Sequence, residues 1–326
     1  MRFAIIGCGL IGAKRADAIA GLRHQLVVAA DLDRGRADVL AARYGGRATD
    51  DWRAALAADG VDAVIVATAH DALSAIAVGA LEAGKHVLVE KPAGRNLSEV
   101  EAIAAAAARG GKIVKVGYNH RFHPSILKAR SLVDAGELGP LMFVRGRYGH
   151  GGRIGYEQEW RLKRDISGGG ELIDQGSHLI DLAHWFLGDF TAVFGQTRNY
   201  FWAADTEDNA FLTLSTSQGA VAWLHASWTE WKNMFSFEIY GRDGKIEING
   251  LGGSYGIESL ALYKMLPQMG PPETTKWEWP FPDVSWRLET AEFIDAIGEG
   301  RRAIGDIEDA AHTMSVIDQV YRGSGQ

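Results

Sequence analysis

Arg2-Phe3-Ala4-Ile5-Ile6-Gly7-Cys8-Gly9-Leu10-Ile11-Gly12 is a short apolar run that breaks into Gly-x-Gly-x-x-Gly and continues as an alanine-rich helical segment to about Ala20. A strand, a glycine turn and a helix opening in that order are the context in which the three glycines have separate tasks. Gly7 permits the tight turn, Gly9 lets the backbone approach a pyrophosphate, and Gly12 lets helix and strand pack closely. The helix N-terminus, with Leu10 and Ile11 in its first turn, offers unpaired N–H groups to phosphate. The next apolar run, Gln25 to Ala30, ends in Asp31, nineteen residues after Gly12. A carboxylate there accepts hydrogen bonds from ribose hydroxyls and repels a 2′-phosphate, so NAD is expected over NADP. Arg34 is the nearby residue that would favour the phosphate.

Outward from this stretch the alternation continues. Apolar runs at Ala63 to Thr68, His86 to Glu90 and Ile113 to Gly117 are separated by helical segments at Ala72 to Ala83 and Ser98 to Arg109, with Gly84 and Gly110 as helix stops. Short strands alternating with longer helices predict an α/β, doubly wound parallel sheet of the Rossmann type. Past about Phe122 and a bridging helix, Pro124 to Ala135, the pattern changes. Met142 to Tyr148, Val193 to Phe201, Ala210 to Thr216, Ala220 to Trp228, Phe235 to Tyr240 and Lys245 to Asn249 read as strands. Several are joined by hairpin-length turns, so an open, mainly antiparallel sheet of α+β character is expected. Helices are expected at about Gly170 to Leu187, Ser285 to Ile297 and Asp306 to Tyr321. The expected domains are a cofactor domain over 1–122 and a substrate and oligomerisation domain over 123–326, with the C-terminal helices able to return to the first. The proline-rich segment Met265 to Asp283 reads as an ordered arm.

The chain's 326 residues are about twice the ~150 that make one domain. Its 34 Lys+Arg against 41 Asp+Glu, a net charge of −7, argue against a nucleic-acid binder. Cys8 is the single cysteine, so no internal disulfide is possible and a reducing compartment is expected. The apolar stretch before Cys8 is too short for an export signal, and no run approaches the ~18 apolar residues of a membrane span. A cytoplasmic protein is expected. Nine of the ten tryptophans lie at or beyond Trp160. Those in strands, such as Trp223 and Trp228, are expected to fill the sheet core or a subunit interface.

Two segments carry the chemistry. In Gly168-Gly169-Gly170-Glu171-Leu172-Ile173-Asp174-Gln175-Gly176-Ser177-His178, a glycine-rich entry leads into a helical pattern in which Asp174 and His178 are four apart and share one face, with Asp181 near the same stripe. A carboxylate one turn from an imidazole can orient it for proton transfer. The same pair could hold a metal with His184 or Asp181, but no thiolates are near and a dinucleotide site is already present, so no metal is expected. In Glu90-Lys91-Pro92, a lysine stands at the carboxyl end of a parallel strand, the edge on which open α/β sheets bind ligands.

Together, Gly7-x-Gly9-x-x-Gly12, Ala83-Gly84-Lys85-His86-Val87-Leu88-Val89-Glu90-Lys91-Pro92, Gly117-Tyr118-Asn119-His120-Arg121-Phe122 and Gly168-Gly169-Gly170 to Asp174-x-Gly176-x-His178 resemble the glucose-fructose oxidoreductase / inositol dehydrogenase (Gfo/Idh/MocA) family over nearly the whole chain. The resemblance implies NAD(P)-dependent oxidation or reduction of sugars and cyclitols, and a homo-oligomer, dimer or tetramer, formed through the C-terminal sheet. It implies that Lys91 contacts cofactor and substrate, and that Asp174 and His178 complete the catalytic set. Thr68, Glu90 and Asn119 would border the nicotinamide side, and Trp160-Arg161 resembles the family's Trp-Arg pair near the cofactor. The family's Thr-Pro-Asn reads Thr68-Ala69-His70 here, and its histidine three residues on is Leu73. His70 stands among the expected cofactor contacts, at the position where the sequence departs from the family's pattern, and the catalytic positions are intact. The candidate substrate contacts are Lys91, Arg121, Tyr148, Arg153, Asp174 and His178.

The expected reaction is hydride transfer between a secondary alcohol carbon of a sugar ring and nicotinamide, with His178 as base, Asp174 orienting it and Lys91 bonded to the substrate oxygen. Arg145, Arg147, Arg153, Arg161, Lys163 and Arg164 against Glu157 and Glu159 leave open a phosphate, nucleotide or carboxylate on the sugar. Two alternatives stand beside this reading. One is a sugar–sugar oxidoreductase that retains its cofactor; the other is a non-catalytic, nucleotide-binding regulator of the same fold.

Overall fold

The computed structural model describes residues 1–324, which form two compact units. The first comprises Met1–Asn119, Asp165–Gly168 and Trp286–Met314; the second comprises His120–Arg164, Gly169–Ser285 and the chain from Ser315.

In the first unit, strands β1 (Arg2–Ile6), β2 (Gln25–Ala30), β3 (Arg47–Thr49), β4 (Ala63–Val66), β5 (His86–Val89) and β6 (Val114–Val116) make one parallel sheet in the order β3-β2-β1-β4-β5-β6. The intervening helices are α1 (Leu10–Gly21), α2 (Arg34–Tyr44), α3 (Trp52–Leu56), α4 (His70–Glu82) and α5 (Leu97–Gly110). The strand order reverses between β1 and β4, and the crevice at that point is where open α/β sheets bind ligands. All four residues of β4 are buried, the mark of a strand covered on both faces. Phe3, Ile5, Leu26, Ile65 and Leu88 form its core with Phe293. Helix starts follow local chemistry: Asp33 caps α2 through Gly35 N–H at 3.0 Å, and Asn96 caps α5 through Glu99 N–H at 3.0 Å. Helix α5 runs through Gly110 rather than stopping at it, because Gly111, at φ 58°, supplies the left-handed C-cap.

The second unit holds α6 (Pro124–Asp134), β7 (Leu141–Gly149), α8 (Ser177–Leu187) and strands β8 (Phe190–Arg198), β9 (Asn209–Thr216), β10 (Val221–Ser227), β11 (Met234–Gly241), β12 (Lys245–Asn249), β13 (Glu258–Lys264) and β14 (Glu273–Trp279). The sheet order is β14-β13-β12-β11-β7-β10-β9-β8; every pair is antiparallel except β7–β10, which is parallel. One sheet face, with Val144, Leu212, Leu224, Phe237 and Ile246, is buried, with α8 packed on β7 and β10 and α6 on β12. A Cβ on Gly146 would lie 3.0 Å from Leu179, so the missing side chain lets α8 settle on β7. A short helix, α7 (Arg164–Ser167), precedes α8 in the chain, and α9 (Ser285–Glu299) and α10 (Ile307–Gly323) end it.

Three further expectations change. The strand expected at Val193 to Phe201 ends at Arg198, because the buried Asp208 carboxylate accepts N–H bonds from Tyr200, Phe201 and Trp202 at 2.9, 2.7 and 3.1 Å and curls the chain away. The arm at Met265 to Asp283 contains the edge strand β14. The helix expected from Gly170 begins as a π turn over Leu172–Gly176 before α8 takes up regular geometry.

Candidate functional site

The glycine loop of the first unit is shaped as its sequence predicts. Gly7 has φ +96°, and a Cβ there would lie 2.3 Å from the Ala67 carbonyl oxygen. A Cβ on Gly12 would lie 2.0 Å from the Gly7 carbonyl oxygen, so only glycine lets α1 pack this closely on the turn. Gly9 differs: its Cβ would meet nothing within 4 Å. Gly9 is the N-cap of α1, no side chain caps that helix, and Leu10 in its first turn is exposed. Open space in front of uncapped N–H groups fits a pyrophosphate. Asp31 is oriented by Cys8 N–H at 2.7 Å to one oxygen and Asp33 N–H at 2.9 Å to the other. A carboxylate has about four acceptor positions, so both oxygens keep one for a ribose hydroxyl. The Cys8 thiol is pushed up to about 12 by burial and by the Asp31 charge, which makes it inert packing. Arg34 pairs with Asp38 at 3.0 Å on the surface of α2.

Around the ends of β4 to β6, Thr68 donates its hydroxyl to the Ala69 carbonyl at 3.0 Å. His70, at the start of α4, is buried with Nδ1 2.8 Å from the Ser167 carbonyl, so the residue that departs from the family pattern ties α4 to the 165–168 segment. Glu90 and Lys91 follow β5 directly; Glu90 is buried and Lys91 partly so. A Cβ on Gly117 would lie 2.5 Å from the Glu90 carboxylate, so that glycine makes its room. Asn119 is also buried.

In the second unit, Asp174 sits in the π turn and His178 in the first turn of α8, both nearly buried. Gly170 sends its N–H to Glu207 Oε1 at 3.0 Å, and a Cβ there would lie 2.0 Å from the Glu207 carbonyl oxygen; the glycine entry is thereby clamped. A π turn places residues off the regular helical stripe and recurs at functional sites. Arg161 Nε lies 3.3 Å from Asp174 Oδ2, and the Arg161 guanidinium stacks 4.6 Å over the Trp160 ring. Burial works against the Arg161 charge, but Asp174 with Tyr156, Glu159 and Glu171 together outweigh it, leaving its pKa raised. Tyr148, at the inner face of β7, is buried and its phenol is held well above the usual range, by burial first and then by Tyr255.

Two histidines that sequence reasoning did not single out complete this cluster. The His120 ring stacks on His178 at 3.7 Å between centroids and meets Tyr148 edge-on at 5.0 Å. His150 accepts Gly152 N–H at 2.8 Å and is held below its ordinary pKa, chiefly by burial, with Asp174 opposing. His120 stands inside a motif quoted on other grounds, and its spacing from His178 does not show a ring stack. The Arg121 guanidinium, 2% exposed, makes a two-pronged contact with Asp181 at 2.9 and 2.6 Å, which anchors α8. The local basic excess is largely absorbed: Arg145 pairs with Glu238 at 2.7 Å, Arg153 with Glu159, Arg161 with Asp174, and Arg164 reaches the Asp205 carbonyl at 3.1 Å. Among the described residues no helix is long and apolar enough to cross a membrane.

Comparison with known proteins places both units. Residues 1–118 match the oxidoreductase family model described as an NAD-binding Rossmann fold, and residues 126–247 match the GFO/IDH/MocA C-terminal domain. Inositol 2-dehydrogenase 2 of Saccharopolyspora erythraea is 32% identical over 270 residues, which is 80% of this chain and 74% of that protein. Levoglucosan dehydrogenase of Pseudarthrobacter phenanthrenivorans is 27% identical over 237 residues, 64% of this chain; the match spans only 61% of that relative's length. A solved structure of levoglucosan dehydrogenase in complex with NADH and L-sorbose has the same fold, with a TM-score of 0.90 at 23% identity over 100% of this chain and 97% of that one.

Proposed function

Because the chain belongs to the Gfo/Idh/MocA oxidoreductase family, we propose that it is an NAD-dependent dehydrogenase acting on a secondary alcohol of a sugar or cyclitol ring. The observation that carries this reading is the buried Asp174 and His178 cluster, a proton-transfer set that a nucleotide-binding regulator has no use for. When bound, the nicotinamide supplies the hydride acceptor. His178 takes the hydroxyl proton, Asp174 orients it, and Lys91 hydrogen-bonds the oxygen as a carbonyl develops. Glu90, Thr68, His70, Asn119, Trp160 and Arg161 border the cofactor, and Tyr148 and Arg153 the substrate. The arginines' existing carboxylate partners favour a neutral ring over an anionic one. The test is NAD reduction across inositols, aldoses, uronates and nucleotide sugars, with Lys91→Ala as the blank. Turnover on at least one neutral ring, at least about a hundredfold above the blank, is expected. Turnover on none, with NAD bound, would favour the regulator; a cofactor that survives purification and cycles between two sugars would favour the sugar–sugar oxidoreductase.

The domain over 123–326 is further proposed to assemble the protein as a cytoplasmic homo-oligomer. Phe194, Phe211 and Trp223 are exposed on the outer face of its sheet, where Phe211 stacks on His225 at 4.4 Å and Phe143 on Tyr240 at 4.2 Å. Exposed aromatic side chains on one sheet face are a feature of association surfaces. Trp223→Glu is expected to shift the particle to monomer in light scattering, and an unchanged mass would count against the sheet as the interface.

A further inference from the structure

Strands β7 and β10 of the second unit run parallel, so both release the chain at the same end of the sheet, and β9, antiparallel to β10, begins there. Three connections therefore meet at that end: 150–163 after β7, 199–208 before β9 and 228–233 after β10. Backbone bonds fasten them together. His150 N–H donates to the Ser227 carbonyl at 3.0 Å, Glu230 N–H to the His150 carbonyl at 3.2 Å and Trp228 N–H to the Asp208 carbonyl at 2.8 Å. Between them lies a cavity of about 500 Å³ whose lining includes Gly151, Arg153, Ile154, Phe201, Trp202 and Trp231. That is within the ~300–1,000 Å³ of small-molecule sites.

The aromatic side chains here are fixed although they are exposed. Trp231 has φ 55°, in the left-handed region that a bulky side chain rarely enters. A Cβ on Gly151 would lie 2.7 Å from Trp231 Cα, so the loops after β7 and β10 are pressed backbone to backbone and hold Trp231 in that conformation. Strain of this kind persists only where the surroundings enforce it, and it gathers at ligand sites. The Phe201 ring meets Trp231 edge-on at 4.7 Å and Trp202 edge-on at 5.0 Å, and Trp202 Nε1 donates to the Trp228 carbonyl at 3.1 Å. Yet Phe201 and Trp231 are 57% and 64% exposed. Rigid, uncovered aromatic surface with Arg153 and Glu157 beside it suits a ligand that is apolar on its faces and polar around its edge. A pyranose ring is such a ligand, with C–H bonds on its faces and hydroxyls around its rim. Arg153 is paired with Glu159, and Glu157 also borders the cavity, so there is no surplus of positive charge to hold an anionic ring.

The cavity also adjoins the reacting groups. Tyr156 meets Trp202 edge-on at 5.4 Å and His150 edge-on at 5.4 Å, and the Asp174 charge acts on both Tyr156 and His150. All of these residues belong to the second unit. We propose that the cavity is a subsite for a second, non-reacting sugar ring, so that the substrate is an uncharged glycoside or disaccharide and not a free monosaccharide. This subsite rests on the dehydrogenase reading, whose substrate it names, but its occupancy can be measured without turnover.

Glucose and galactose are compared with maltose, cellobiose, lactose and melibiose on the wild type, Trp231→Ala and Phe201→Ala, by NAD reduction and by saturation-transfer NMR. In the wild type at least one disaccharide is expected to exceed its component monosaccharides in kcat/KM by about fivefold or more. Trp231→Ala is expected to remove that advantage by raising the disaccharide KM, while monosaccharide kinetics stay within about twofold. A smaller advantage in the wild type overturns the inference, as does an equal change for both sugar classes in the variant, which is what a merely structural role for Trp231 predicts. A lower particle mass in Trp231→Ala also overturns it, since the aromatic side chains would then join copies of the chain. Should Trp231→Ala fail to fold, Phe201→Ala carries the same comparison. Turnover on none of the sugars would count against the dehydrogenase reading, and the NMR experiment then decides the subsite alone. Saturation of a disaccharide that Trp231→Ala abolishes supports it; saturation that the variant leaves unchanged, or none in the wild type, overturns it.

Discussion

His178→Ala is expected to lower turnover by about 10²–10⁴-fold while leaving the NAD dissociation constant within about threefold. The asymmetry follows from where the groups reside. The glycine loop Gly7 to Gly12 and Asp31, the proposed cofactor contacts, belong to the first unit, whereas His178 lies in the first turn of α8 of the second. Removing the imidazole deletes the proposed proton acceptor and half of the His120 stack, but leaves the sheet, the π turn and the Arg161–Asp174 pair intact. The measurement is steady-state kinetics on the substrate identified by the panel, with cofactor affinity by titration. Turnover within about threefold of wild type would remove His178 from the mechanism; an equal loss of NAD binding would recast it as a folding residue.

Much of this site is legible in sequence because its signals are local. A strand, a glycine turn and a helix opening are contiguous, so Gly7, Gly9, Gly12 and Asp31 can be assigned from spacing alone. Glu90-Lys91 is legible for the same reason: it closes a short apolar run. What escaped depends on tertiary placement. The His120–His178 stack joins residues far apart in the chain, and the parallel β7–β10 pair joins strands separated by two others. Arg15 reads as one more charge on an amphipathic helix, yet it is fully buried with two carboxylates. Strand β14 was hidden for a different reason. It is the sheet edge, exposed along almost its whole length, so it needs no alternation of apolar residues, and Pro271, Pro272 and Pro280 around it suggest irregular chain. The π turn is invisible because Asp174 and His178 at a spacing of four satisfy a regular helix equally well.

The largest effect on stability is expected from Arg121→Met. Its guanidinium and the Asp181 carboxylate are 2% and 0% exposed, joined by two hydrogen bonds, with the Trp185 ring 5.3 Å from the guanidinium carbon. Removing only the arginine leaves the buried Asp181 carboxylate without its guanidinium. Breaking a buried pair from one side costs about 3–5 kcal/mol, well beyond the ~0.2–1 kcal/mol of an exposed pair such as Arg34–Asp38. The carboxylate, rather than the lost attraction, dominates that cost, so Arg121→Met combined with Asp181→Leu is expected to regain most of the stability, because two apolar side chains then fill the space with no charge to solvate. Urea unfolding followed by tryptophan fluorescence checks both, since Trp185 reports on the second unit directly. A single variant within about 1 kcal/mol of wild type would mean that water reaches Asp181. A double variant no better than the single would mean that the pair's geometry, and not the burial of its charge, holds α8 in place.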